Sequence, residues 1–284
     1  MSRQFSRIVR SCVIASVIGL AALQTASAGL LAFYDFEGNA QDRSGNARHG
    51  TVGGPVLSAS GYEGMGYQFD GVDDYISIPV DINPSVVPRL TMGAWVRPTI
   101  ATGIRGILSH DSGGYDRNLN IDIRGGGWRY SAFTGSGVVG TGTPPAVGAW
   151  MFVAVRYDDI ADSLTLDVGT SRLTVTANPQ RGYTFTRIGS NPGFSEYFAG
   201  TIDNVFLYNE VLSDQRIDQI RRDGTSAIRP PPAVPEPGML SLAGVALVCG
   251  VCWRRRARRI VKLRDNAEFP QLANNADRSS AVSL

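Results

Sequence analysis

Cysteine is nearly absent from this 284-residue chain, and the three present, Cys12, Cys249 and Cys252, all fall near its two ends. Residues 29–229 contain none, so no disulfide staples that part, and it must rely on a packed core or a metal. Histidine is as scarce. His49 and His110 are the only two, and neither lies in a nucleophile motif, which leaves a Ser–His–Asp hydrolase without its base. Within residues 29–229 glutamate is thin as well: Glu37, Glu63, Glu196 and Glu210 each stand in a turn or alone. A retaining glycosidase needs two carboxylates about 5 Å apart. Asn120-Ile121-Asp122 alternates along one strand but supplies a single acid. No catalytic residue is therefore expected.

Charge is unevenly shared. The whole chain is +2, but residues 29–229 carry 16 arginines against 17 aspartates and 4 glutamates, a net −5. The positive balance comes from the two ends. An acidic body argues against a nucleic-acid partner, because phosphate binding wants a basic surface.

Those ends are addresses rather than fold. Arg3, Arg7 and Arg10 precede the apolar run Ser11–Leu23, and Ala26-Ser27-Ala28 supplies small residues for a cut. Residues 1–28 therefore read as a signal peptide, with Gly29 as the mature start. The apolar run is short of the ~20 residues that span a bilayer, which disfavours a permanent anchor. Cys12 lies inside that run and is poorly placed for lipid attachment. At the other end, residues 225–237 form a Pro-rich linker containing Pro235-Glu236-Pro237. Residues 238–259 then give an apolar segment, Met239–Trp253, and a basic cluster with Arg254, Arg255 and Arg256. That order is a stop-transfer pattern and predicts an inner-membrane helix over 239–253 with its arginines on the cytoplasmic side, its shortness made up by bilayer thinning or snorkelling of the Arg stems. Cys249 and Cys252 have CxxC spacing but lie in this apolar segment, without a thioredoxin-like pattern around them. Residues 260–284 are polar and read as a disordered tail.

Residues 29–224 remain for one domain, enough to bury a sizeable core. No long helical period occurs before Ser213. Short alternating runs separated by Gly, Asn, Asp and Pro predict about a dozen strands, an all-β jelly-roll sandwich. Leu90–Arg97 places Met92, Ala94 and Val96 on one face and Thr91, Gly93 and Trp95 on the other. Phe198–Asp223 closes the domain. In its strand, Thr201–Tyr208, Ile202, Phe206 and Tyr208 alternate with polar neighbours, the pattern of a half-buried strand. Ser213 caps a short helix, Asp214–Arg222, whose Ile217 and Ile220 share a face suited to a sheet edge.

Five stretches appear in a telling order: YDFEGNAQDRSGNARHGTV, YQFDGVDDYISIP, LTMGAWVRP, GAWMFVAVRYD and FAGTIDNVFLYNEVLSDQRI. In this order the chain resembles the laminin-G-like, concanavalin A-like jelly-roll family over roughly residues 30–222. The C-terminal order of Pro-Glu-Pro, apolar helix and arginines resembles the PEP-CTERM sorting signal of Gram-negative bacteria. That resemblance implies processing by an exosortase-type membrane enzyme and delivery to the cell envelope or extracellular matrix. Such signals usually stop soon after the basic cluster, whereas Ile260–Leu284 follows here.

The family's fold hosts binding proteins and laminarinase-like glucanases alike, so function has to come from a site. The expectation is an exported, non-catalytic protein that binds carbohydrate or another matrix polymer. The alternatives are a purely structural matrix component and a glycan-active enzyme. Trp128, Tyr130 and Tyr115, with Phe133, lie in or beside Gly-rich loops and are candidates for an aromatic platform under a sugar. Arg117, Arg124 and Arg129 stand nearby and suit an acidic sugar. Trp95 and Trp150 occupy strand positions read as core. Calcium wants six to eight oxygens gathered by turns. Four clusters qualify: Asp42/Ser44/Asn46, Asp70/Asp73/Asp74, Asp158/Asp159/Asp162 and Asp203/Asn204. The pairing singled out joins Asp42, Ser44 and Asn46 to Asp203, because first and last strands are often neighbours in a jelly roll.

Overall fold

The computed structural model describes residues 29–228. In chain order the strands are β1 (Leu30–Tyr34), β2 (Thr51–Gly53), β3 (Val56–Ser58), β4 (Gly66–Asp70), β5 (Tyr75–Ile78), β6 (Arg89–Pro98), β7 (Arg105–Ser109), β8 (Asn118–Asp122) and β9 (Arg129–Phe133). They continue as β10 (Val138–Gly140), β11 (Met151–Asp158), β12 (Ser163–Val168), β13 (Ser171–Thr176), β14 (Thr186–Ile188), β15 (Ser190–Asn191), β16 (Glu196–Tyr197) and β17 (Ala199–Tyr208). Two helices end the body, α1 (Asp214–Asp223) and the single turn α2 (Thr225–Ile228). The strands beyond the expected dozen are mostly two- or three-residue pieces, too short to carry an alternation.

Two sheets form the sandwich. The larger runs β13-β12-β11-β6-β17-β4-β3, with β1 also paired to β17. The smaller runs β10-β9-β8-β7-β14-β5-β2, and β15 with β16 makes a separate ribbon. Alternation assigns the layers. From β6, Leu90, Met92, Ala94 and Val96 enter the core between the sheets, together with Leu119, Ile121 and Tyr130 from the smaller sheet. Trp95 points the other way, into a second cluster with Phe33, Phe152 and Phe206 on the outer face of the larger sheet.

β17 departs from the half-buried strand expected of it: all ten residues are buried. Both its edges are paired, to β6 on one side and to β4 and β1 in succession on the other. A bulge between Asp203 and Phe206, with Asn204 at φ 50°, reverses the side-chain parity. Ile202, Val205 and Leu207 therefore face the main core, while Phe206 and Tyr208 face the second cluster.

Helix α1 begins as read. The Ser213 side chain accepts from Arg216 N at 3.2 Å, and Gly224 at φ 59° closes the helix with its N–H on Ile220 O. Its Ile217 and Ile220 lie on the sheet's outer face rather than along an edge, because Phe33, Trp95 and Phe206 offer a continuous apolar surface there. Burial of each isoleucine is worth roughly 1.5–3 kcal/mol. Ions fasten the helix as well. Arg156 holds Asp167 at 2.9 Å and Asp214 at 2.7 Å, and Arg172 bridges the same two carboxylates. The body does not stop at residue 224: Ala227 and Ile228 are buried, and Tyr208 Oη donates to Ile228 O at 2.9 Å.

Among the described residues no helix is long and apolar enough to cross a membrane. The expected signal peptide, the 239–253 span, Pro235-Glu236-Pro237, Arg254–Arg256 and the 260–284 tail lie outside the described residues.

Candidate ligand-binding face

The outer face of the smaller sheet carries an unusual amount of buried polarity. On β8 the alternation sends Leu119 and Ile121 inward and Asn118, Asn120 and Asp122 outward, all fully buried. Ser131 stands across from Asn120 on one side, and Gly106 on the other. Gly106 is required there. A Cβ would meet the backbone of Ser190 and Asn191, so the β15–β16 ribbon lies directly against the strand. The ribbon delivers Asn191 and Glu196. Asn191 Oδ1 accepts from Ser109 Oγ at 2.8 Å, and its Nδ2 donates to Asp111 Oδ2 at 3.1 Å and Glu196 Oε2 at 2.7 Å.

Three oxygens on this face receive no donor from the protein: Asp116 Oδ1, Asn118 Oδ1 and Asn120 Oδ1. Asn118 and Asn120 alternate along β8 and so stand about 6.6–6.8 Å apart, and Asp116 lies in the loop that leads into the strand. Asn120 Nδ2 donates to the Asp122 carboxylate at 3.3 Å, which fixes the amide orientation and leaves its oxygen unserved. Buried acceptors without donors are uncommon and costly. Arg124 closes one end. Its guanidinium grips Asp122 and reaches Glu196 at 3.9 Å, and the Asp122 bond, first among the causes, holds its pKa above the ordinary value. Burial pushes the Glu196 carboxyl up, with the charges of Asp122 and Asp111 adding to the rise.

The expected platform residues do not stay together. Tyr115, at φ 56° and half-buried, sets its ring against Phe133 edge-on, centroids 5.3 Å apart, and Arg124 lies 5.5 Å from both rings. These three border the polar row. Tyr130 is a correction: one position along β9 it faces inward and is wholly enclosed by the core, so it offers no surface to a ligand. Trp128 is half-buried and packs against the same core. The arginine neighbourhood also disperses. Arg117 is fully buried on the carbonyls of Ile82 and Val87 and pairs with Asp159, Arg129 folds onto the carbonyls of Gly126 and Gly127, and Arg124 is spent on Asp122.

Residues 70–218, more than half of the chain, match the family described as the concanavalin A-like lectin/glucanases superfamily. The chain belongs to this superfamily. Residues 233–256 match the PEP-CTERM protein-sorting motif, which implies export and exosortase processing. No curated protein matches the sequence. Among solved structures, this lectin-like domain is similar to domain 4 of AbnA, a GH43 extracellular arabinanase from Geobacillus stearothermophilus, in complex with arabinotriose. The TM-score is 0.56 at 18% identity, covering 68% of this chain and 98% of that one. It is also similar to the ligand-binding domain of botulinum neurotoxin serotype D in complex with N-acetylneuraminic acid (TM-score 0.53, 12% identity, 69% and 51% covered). A third is the binding domain of Paraclostridial Mosquitocidal Protein 1 (0.53, 11%, 69% and 52%). The chain spans about half the length of the two toxin domains. At these identities the likeness is one of fold.

The turn carboxylates of this lectin-like domain are largely occupied. Asp42 accepts from Phe33 N, Ser44 N, Ser44 Oγ and Arg48 N at 2.8–3.0 Å; those bonds outweigh burial and lower its pKa. Ser44 and Asn46 turn to the carbonyls of Leu30 and Leu31. Asp203 is held elsewhere, by Tyr62 N, Glu63 N and Asn204 N. Asp42 and Asp203 thus serve different networks. Among the described residues, the group of three acidic side chains whose oxygens lie within 4.8 Å of one another is Asp70, Asp73 and Asp74. Of the candidate face, sequence reading named Tyr115, Phe133 and Arg124 but missed Asp111, Asn191 and Glu196. The available signal was Asn118-x-Asn120-x-Asp122, polar residues on every second position of an otherwise apolar strand.

Proposed function

We propose that the domain is an exported, non-catalytic carbohydrate-binding module, and that the outer face of β7, β8 and β9 is its site. The observation that carries this reading is the row of donorless oxygens at Asp116, Asn118 and Asn120, flanked by the Tyr115 ring. Acceptors in a row call for hydroxyl donors, which a polyol supplies and an aromatic edge helps to orient. Asp111, Asp116, Asp122 and Glu196 make the face acidic, which favours neutral sugars over anionic ones. Structural neighbours crystallised with arabinotriose and N-acetylneuraminic acid support carbohydrate as the ligand class. The ribbon and Arg124 cover the row, so entry requires the ribbon to lift; the long 3.9 Å contact between Arg124 and Glu196 is its weakest tie. Asp122, pinned by Arg124, has no free role as nucleophile or base.

A glycan array followed by calorimetry on the purified exported protein tests the reading. Binding of neutral oligosaccharides without hydrolysis, weakened at least tenfold by Tyr115→Ala or Asn120→Ala at unchanged melting temperature, is expected. No binding to any glycan would leave a structural matrix component, and turnover of glucans would make it an enzyme. Calcium is a separable proposal, centred on Asp70, Asp73 and Asp74. Burial, with the charges of Asp70 and Asp73 adding to it, already pushes the Asp74 carboxyl up, a cost that a cation would relieve. A melting temperature unmoved by calcium or chelator refutes it. The C-terminal segment 239–253 is proposed as the membrane anchor of the precursor, and mass spectrometry of the mature C-terminus decides whether an exosortase removes it.

A further inference from the structure

The fold grips the chain from its first described residue. Gly29 N donates to Glu210 Oε1 at 3.0 Å, and Gly29 O accepts from Asn209 N at 2.8 Å. The Asn209 side chain packs directly over Gly29, in the space a Cβ would take. The next carbonyls are clamped by the turn that sequence reading assigned to calcium. Asn46 Nδ2 donates to Leu30 O at 2.8 Å and Leu31 O at 3.0 Å, and Arg48 donates to Leu31 O at 2.9 Å. Glu210 itself is rooted, because Thr91 Oγ1 donates to its backbone carbonyl at 2.6 Å. Most domains leave their terminal residues loose. Here the first described residue, Gly29, is bonded through both its amide nitrogen and its carbonyl.

We propose that Glu210 is the seat of the α-ammonium group created when the leader is removed. The inference rests on residues 1–28 being a leader and is independent of any sugar site. A signal peptidase hydrolyses the Ala28–Gly29 bond with one water, leaving a carboxylate on Ala28 and an ammonium on Gly29. The amide N–H that the precursor offers to Glu210 thereby becomes a cationic donor, and charge-assisted hydrogen bonds are roughly twice as strong as neutral ones. Export and processing thus complete an ion pair that the precursor cannot make. The pair raises the ammonium pKa above its usual roughly 7.7–8.0. Its contribution is present while both groups are charged and is lost as pH rises through the raised value.

The full chain, exported with its own leader, provides the test. Mass spectrometry first reads the N-terminus, and any start other than Gly29 overturns the proposal. The chain has one lysine, Lys262, so acetic anhydride meets at most one other amine. At pH 8 the Gly29 amine is expected to react several-fold to tenfold more slowly than in Glu210→Gln; equal rates overturn the proposal. Acetylating Gly29 in the unmutated protein gives a second arm that does not depend on the variant folding. It removes the charge while placing an acyl group where Ala28 sat in the precursor. The urea midpoint at pH 6.5 should fall, and an unchanged midpoint refutes the pair.

Discussion

Replacing Asp203 by asparagine removes a titrating group from the middle of the larger sheet at almost constant volume. Asp203 is fully buried beside the β17 bulge. Its Oδ2 accepts from Tyr62 N at 2.8 Å and Glu63 N at 3.1 Å, and its Oδ1 from Asn204 N at 2.7 Å. Burial outweighs those bonds, the Glu37 charge adds to it, and the carboxyl is pushed up to about 7. A raised folded pKa means the folded state keeps a proton that the unfolded chain has released. Stability therefore falls as pH rises from about 4 to 7, and the loss is complete above 7. About three pH units at ~1.4 kcal/mol each give a loss on the order of 4 kcal/mol. Asparagine cannot ionise. Its oxygen can serve Tyr62 and Glu63, but its amide then faces Asn204 N–H, donor to donor, at a cost of about 1 kcal/mol. The variant should be less stable than the parent by about 1 kcal/mol near pH 4 and more stable by about 3 kcal/mol at pH 8. Urea unfolding of both proteins in EDTA, compared pH by pH, cancels groups such as His110 that titrate alike in both. A difference that stays flat across the range refutes the argument.

Further substitutions probe the fold. Arg156→Ala should cost about 3–5 kcal/mol in urea unfolding, because it leaves the buried Asp167 with Arg172 alone and unties Asp214; replacing Arg156 and Asp167 together by apolar residues should recover most of it. Trp95→Ala removes a ring packed on Tyr62 and Phe152 at 4.9 Å each, with an expected loss of about 3–5 kcal/mol and faster hydrogen exchange across α1. Gly200→Ala, at φ 141° with a Cβ driven into Arg97 O, should cost more than ~2 kcal/mol by melting, whereas Gly137→Ala, with nothing within 4 Å, should be near neutral.

How much could be read in advance follows from the length scale of each signal. Leu90–Arg97 declared both its faces, because eight residues of strict alternation leave one solution, and Ser213 declared its helix through a local bond. The parity of β17 was hidden by one extra residue at the bulge, which moved Ile202 to the face opposite Phe206 and Tyr208. Tyr130 was misplaced for a related reason: its nearness to a Gly-rich turn suggested a ring open to a ligand, while strand pairing with Ile121 turned that ring inward. The polar face was least legible. It depends on a two-residue strand, Ser190–Asn191, crossing over Gly106, and neither has a periodic signature.

The position of β17 has a consequence for biogenesis. It is the last strand in the sequence, yet it lies between β6 and the β4/β1 pair in the larger sheet. Until residues 199–208 have emerged, β1 has no partner, β6 is paired only to β11, and the larger sheet is in three pieces, β13-β12-β11-β6, β4-β3 and β1. Contacts this distant in sequence also form slowly. In an exported chain this topology delays closure of the larger sheet until nearly the whole domain has been delivered. The sorting signal at 233–256 comes some twenty-five residues after the last strand. Closure of the larger sheet and arrival of the sorting motif are thereby set close together in chain order.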